Sequence, residues 1–124
     1  PYNPADTLWA IGNGSSATLV GVWGMEIARR LIGQYGIPLC IINGAAGGAD
    51  VGYLGNRNAN NPTDLNTSYG RLLYRVRKAG VAGAVKAYFF RQGENETSGD
   101  AWGWPAKFDR LYQNVRFDYP GLQR

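Results

Sequence analysis

Arg91, Gln92, Gly93, Glu94 and Asn95 follow directly on an apolar, aromatic run at residues 85–90, Val-Lys-Ala-Tyr-Phe-Phe. The change from apolar to polar takes one residue. Two carboxamides and a carboxylate on a glycine-broken loop supply neutral donors and an acceptor at one point of the chain. Open α/β sheets carry their chemistry outside the carboxyl ends of their strands, so residues 91–95 read as a site loop. A second candidate is Asn43-Gly44-Ala45-Ala46-Gly47-Gly48-Ala49-Asp50, which follows the apolar run at 39–42. Its residues have almost no side chain, so another group can approach the backbone closely. A tight helix–strand contact would use the same residues.

The missing residue types limit the chemistry. The 124 residues contain no histidine. A serine nucleophile needs a positioned base, most often histidine, so no Ser-His-Asp set can be assembled from this chain alone. Ser15, Ser16, Ser68 and Ser98 lie in turns or caps, and none stands in a Gly-x-Ser-x-Gly context. One cysteine and no histidine supply a zinc site poorly, and neither a metal nor a cofactor is implied. Cys40, inside the apolar run at 37–42, reads as a small buried hydrophobe.

The elements that must position these loops follow from periodicity. Val22, Ile27, Leu31 and Ile32 recur near helical spacing with Arg29 and Arg30 facing away, which predicts a helix over 22–35 ended by Gly33, Gly36 and Pro38. Residues 39–42 read as a strand buried on both faces. Residues 52–67, rich in Asn and turn formers, read as an exposed excursion on the substrate side. Thr67 or Ser68 caps a second helix striped by Tyr69, Leu72, Leu73, Val76 and Ala79, with Arg71, Arg75 and Lys78 on a solvated face and Gly80 as its stop. Residues from 81 lead into a second strand, read at 85–90 and expected to be buried. Trp102 and Trp104 lie in the loop that follows; packing is the commoner fate of tryptophan, and stacking on a sugar ring is the alternative. Pro105 starts a third helix striped by Phe108, Leu111, Tyr112 and Val115, which Pro120 and Gly121 end. Residues 1–16 are turn-rich, with residues 8–11 as a loop or edge strand. Gly12 to Ser16 lack the lysine and spacing of a phosphate-binding loop and read as a turn.

The order helix, strand, helix, strand, helix, with crossovers long enough for parallel pairing, predicts an α/β fold: part of a doubly wound parallel sheet flanked by helices. Two strands make a thin sheet, so its other strands are expected outside this chain. Residues 1–124 are taken as one domain, itself a portion of a larger whole. With 44% hydrophobic and 18% charged residues the chain is globular. Its net charge of +4 is dispersed, and no basic block interleaved with aromatics suggests nucleic-acid binding. No apolar run approaches the roughly 20 residues of a membrane span. The chain begins at Pro1 rather than Met, as a processed product or a piece of a longer protein would.

Gln92-Gly93-Glu94 after an aromatic strand resembles the Gln-Gly-Glu signature of the sialate O-acetylesterase-like carbohydrate esterases of the SGNH/GDSL hydrolase superfamily. The turn Gly47-Gly48-Ala49-Asp50 resembles the family's second block, where Thr or Ser more often follows the two glycines. The resemblance spans about residues 20–122. It implies an SGNH/flavodoxin-like three-layer sandwich, an acetylated carbohydrate as substrate, and a secreted or periplasmic location. It implies an oxyanion hole made by the Gly48 backbone N–H, or that of Gly47, together with the Gln92 amide. Glu94 supports a catalytic histidine in some relatives; capping of the following turn is the equal alternative. Asn95 is expected to order the loop. Arg91 stands where the family more often has Tyr or His, and a pair with Glu94 is the other reading. Gly47, Arg91, Asn95 and Trp102 are the candidate substrate contacts. The family's Gly-Asp-Ser and Asp-x-x-His blocks are absent, so the chain is expected to act only with residues from elsewhere. A carbohydrate-binding domain that kept the fold without the chemistry is the rival reading. A nucleotide-binding domain using Gly44 to Gly48 ranks last, because the Gly-x-Gly-x-x-Gly spacing is missing.

Overall fold

Tyr69, Leu72, Leu73 and Val76 occupy positions i, i+3, i+4 and i+7, so on a helix they fall on one face. A computed structural model of the protein describes residues 22–96 and 101–122. The expectations for residues 1–16, and for Thr97 and Ser98, lie outside the described residues. Four helices are described: α1 (Val22–Tyr35), α2 (Val51–Leu54), α3 (Ser68–Lys78) and α4 (Trp104–Asp118). Single 3-10 turns form at Ala82–Ala84 and Ala101–Gly103. The chain divides into two units, Tyr2–Asn43 and Gly44–Arg124.

In the second unit, α3 and α4 bring their apolar stripes to one core. Tyr69, Leu72, Leu73 and Val76 of α3 are buried, as are Leu111 and Val115 of α4, with Val51 and Tyr119. Each fully buried Leu or Val contributes about 1.5–3 kcal/mol of hydrophobic stabilisation. The short α2, which no periodicity announced, packs on both α3 and α4. Its close approach to α4 depends on Gly55, where an added Cβ would lie 3.2 Å from Leu111 Cβ.

The helix ends follow local chemistry. Thr67 Oγ1 accepts from the Gly70 N–H at 2.9 Å and caps α3. Pro105 sits in the first turn of α4, where its missing N–H costs nothing. Gly36 and Gly80 follow α1 and α3 at φ +65° and +70°, the left-handed conformation glycine adopts most easily. In the first unit, Glu26 of α1 accepts from both Arg29 and Arg30 at 2.7 Å. Those hydrogen bonds hold its carboxyl down at about 2.

The expected strands are corrected. Among the described residues no strand forms at 39–42 or 85–90. Aromatic and β-branched content measures fit to a pleated, half-buried surface rather than an autonomous backbone preference. A strand also needs a partner to complete its ladder. Neither segment is fully buried: Leu39 and Cys40 are exposed, against the expectation for both, and Phe89 is 58% exposed. Residues 85–92 nevertheless keep a strand's alternation near their end. Tyr88, Phe90 and Gln92 are half-buried while Phe89 and Arg91 are exposed. Tyr88 lies 6.4 Å from Tyr119 and Phe90 lies 5.4 Å from Phe108, ring centre to ring centre. The period of two thus turns residue 92 toward α4. No helix among the described residues is long and apolar enough to cross a membrane.

A carboxylate network locks the second unit. The Asp118 side chain, at the end of α4, has no solvent exposure. Its Oδ2 accepts from Arg57 Nε at 2.8 Å and from the Tyr69 hydroxyl at 2.9 Å. Its Oδ1 accepts from Arg57 Nη2 at 3.2 Å and Arg77 Nη2 at 3.1 Å. A buried carboxylate is tolerated when paired and hydrogen-bonded in this way.

Candidate functional site

The site forms where two irregular segments meet. Residues 46–49 make a β-turn closed by the Ala49 N–H on the Ala46 carbonyl at 3.3 Å. Gly48 sits at φ +71°, the third turn position, which a type II turn gives to glycine. Asp50 then caps α2 by accepting from the Tyr53 N–H at 2.7 Å. An open depression of about 240 Å³ lies over this turn, lined by Ala46, Gly47, Gly48, Ala49, Asp50 and Tyr53.

Three hydrogen bonds pin the polar loop, two to the turn and one to the start of α2. Gln92 Nε2 donates to the Ala49 carbonyl at 3.2 Å. Asn95 Nδ2 donates to the Gly48 carbonyl. Glu96 Oε1 accepts from the Val51 N–H at 2.8 Å. From the other side, Trp104 Nε1 donates to Gln92 Oε1 at 3.0 Å, and its indole stacks on Phe108 at 4.9 Å with the rings 7° apart. The start of α4 therefore holds one end of the Gln92 carboxamide and the glycine turn holds the other.

The structure thus brings Gly48, Gln92 and Asn95 together, with Gly47 on the wall of the depression. It does not bring Arg91 and Glu94 to the turn. Gly93, at φ +150°, breaks the alternation, and Glu94 Oε1 pairs with Arg91 Nη2 at 2.6 Å, the two side chains being 60% and 81% exposed. Among the described residues of the second unit Trp102 is the most exposed large hydrophobic side chain, at 91%, so the packing expected for it does not occur; Trp104 is the tryptophan that packs. Sequence reasoning missed Glu96. It binds the start of α2, and its Oε2 is buried with no hydrogen-bond partner among the described residues. Nothing in the spacing distinguished it from Glu94, because the glycine between Gln92 and Glu94 resets which side chains face inward. No cluster of metal-ligating side chains occurs among the described residues.

A glycine turn and a carboxamide loop, locked together by side-chain-to-backbone bonds, make the candidate site. A family model described as carbohydrate esterase, sialic acid-specific acetylesterase, matches residues 7–122, and the chain belongs to that family. Membership implies an acetylated sugar as the substrate class. No curated protein and no solved structure matches the chain.

Proposed function

We propose that this chain supplies the oxyanion-hole part of a carbohydrate O-acetylesterase. A serine attacks the acetyl carbonyl, the sugar leaves, and water hydrolyses the acyl-enzyme. The charge on the carbonyl oxygen is met by the Gly48 N–H and the Gln92 amide. The observation that supports this reading is the reach of Gln92 Nε2 to the Gly47–Gly48 turn, at Ala49 O. A carboxamide nitrogen has two hydrogens, and this bond uses one, leaving a second donor beside the turn. Fixed neutral donors stabilise an oxyanion without reorganising, and one is worth about a hundred- to a thousandfold in rate. The nucleophile and the histidine come from residues beyond these 124. Segments 39–42 and 85–90 are then strands of a doubly wound parallel sheet whose neighbours lie in the rest of the same domain. The exposed Phe89 and the alternation through Tyr88, Phe90 and Gln92 support that placement. The location proposed with this reading is secreted or periplasmic.

The test is hydrolysis of an acetyl-ester reporter by the isolated chain. No turnover above the buffer rate is expected, and robust turnover would contradict the division of labour. Titration with an O-acetylated sialic acid, followed by amide resonances, should perturb Gly48 and Gln92. One observation favours a second reading: Trp102 stands 91% exposed, as a ring that stacks on sugars would. In a binding domain the perturbations would centre on Trp102 and survive Gln92→Ala.

A further inference from the structure

We infer that Trp104 is a positioning residue that, together with the Ala49 carbonyl, fixes which way the Gln92 carboxamide faces; its consequence for catalysis rests on the oxyanion role proposed for Gln92. A carboxamide is nearly symmetric in shape and opposite in polarity at its two ends. Turned over, it would present oxygen where a donor is needed. Gln92 lies between two groups that each admit one polarity. The indole N–H can only donate and the Ala49 carbonyl can only accept. Trp104 Nε1 stands 3.0 Å from Oε1, and Nε2 stands 3.2 Å from Ala49 O. The reversed amide would face donor with donor and acceptor with acceptor, losing both bonds at once.

Trp104 is itself held. Its ring stacks on Phe108, one turn further along α4, and Phe108 also meets Phe90. Phe90 is the residue two before Gln92, so the same aromatic cluster sets the backbone that carries the amide and the indole that orients it. Both bonds are partly buried, where competition from water is reduced. A Phe at position 104 could keep the stack but would lose the polarity. A Glu at position 92 could keep the bond from Trp104 but would set a second acceptor against Ala49 O.

The test reads side-chain proton exchange by ¹⁵N-resolved NMR on this chain. In the wild type, the Gln92 Nε2 proton that meets Ala49 O and the Trp104 Nε1 proton should each exchange about fivefold more slowly than free groups, the factor for one hydrogen bond of ordinary net strength. Trp104→Phe should move the Ala49-bonded Gln92 proton toward the free rate, because reversal of the amide then costs one bond instead of two, while the fold holds by helix content. Unchanged Gln92 protection in that variant would overturn the inference. If Trp104→Phe does not fold, the indole proton decides. Gln92→Leu should free it and Gln92→Glu should keep it protected; equal exchange in wild type and Gln92→Leu would overturn the inference. These measurements involve no ester, so their failure leaves the esterase reading intact, and failure of the ester assay leaves their result intact.

Discussion

Gln92 and Glu94 stand two residues apart and meet opposite fates. On a regular strand they would share a face. Gly93 separates them, at a φ open to glycine and sparsely used by other residues. Gly93→Ala should cost about 1–3 kcal/mol in urea unfolding and release the Asn95 bond to the turn, although nothing crowds the position sterically. Arg91→Ala should change stability by less than about 1 kcal/mol, because its bond to Glu94 is an exposed ion pair. A cost several times larger would mean that Arg91 has a role beyond that pair. The Gln-Gly-Glu signature was legible as a mark of the family because its residue types are informative. The separation of its members was not, since a single backbone angle decides it.

At the scale of elements, helices were far more legible than strands. A helix carries its hydrogen bonds within itself, so caps and periodicity at Thr67, Pro105 and the Tyr69–Val76 stripe place it from the sequence. Residues 39–42 and 85–90 carry strand-like composition, but a strand's bonds belong to its neighbours. The four-residue α2 is too short to show a period. Leu111→Ala on α4 should cost about 2–5 kcal/mol in denaturant unfolding, because Leu111 lies in the core beneath α2. Thr67→Ala should cost about 1 kcal/mol. On α1, the Glu26 carboxyl titrates near 2 instead of 4.5. Its folded value is lowered, so its contribution is present above about 4.5 and is lost as pH falls toward 2. Circular dichroism of α1 should show that loss, and added salt should shrink it.

Across the whole molecule, the most demanding feature of the second unit is the carboxylate of Asp118 with its two arginines and one tyrosine. Asp118→Asn leaves cations without their counter-charge and should destabilise this unit by about 3 kcal/mol, read by urea unfolding. The tyrosines near it set an alkaline limit. Burial, then the hydrogen bond to Asp118, pushes Tyr69 well above its ordinary value. Burial also raises Tyr119, and moves Tyr88 up to about 12. These phenols are favoured neutral in the fold, so their contribution is full below about 10 and is lost as pH rises beyond it. Unfolding should therefore set in on the alkaline side and follow phenolate absorbance.

Asp118 also has a consequence in time. Its partners lie 61, 49 and 41 residues earlier in the chain, so none of its bonds can form until long loops have closed. We predict that these contacts are completed after the rate-limiting step. Removing them should therefore leave the refolding rate nearly unchanged and accelerate unfolding, on the order of a hundredfold for Asp118→Asn. On this account the buried carboxylate acts as a latch, setting how long the unit stays folded and having little influence on how quickly it gets there.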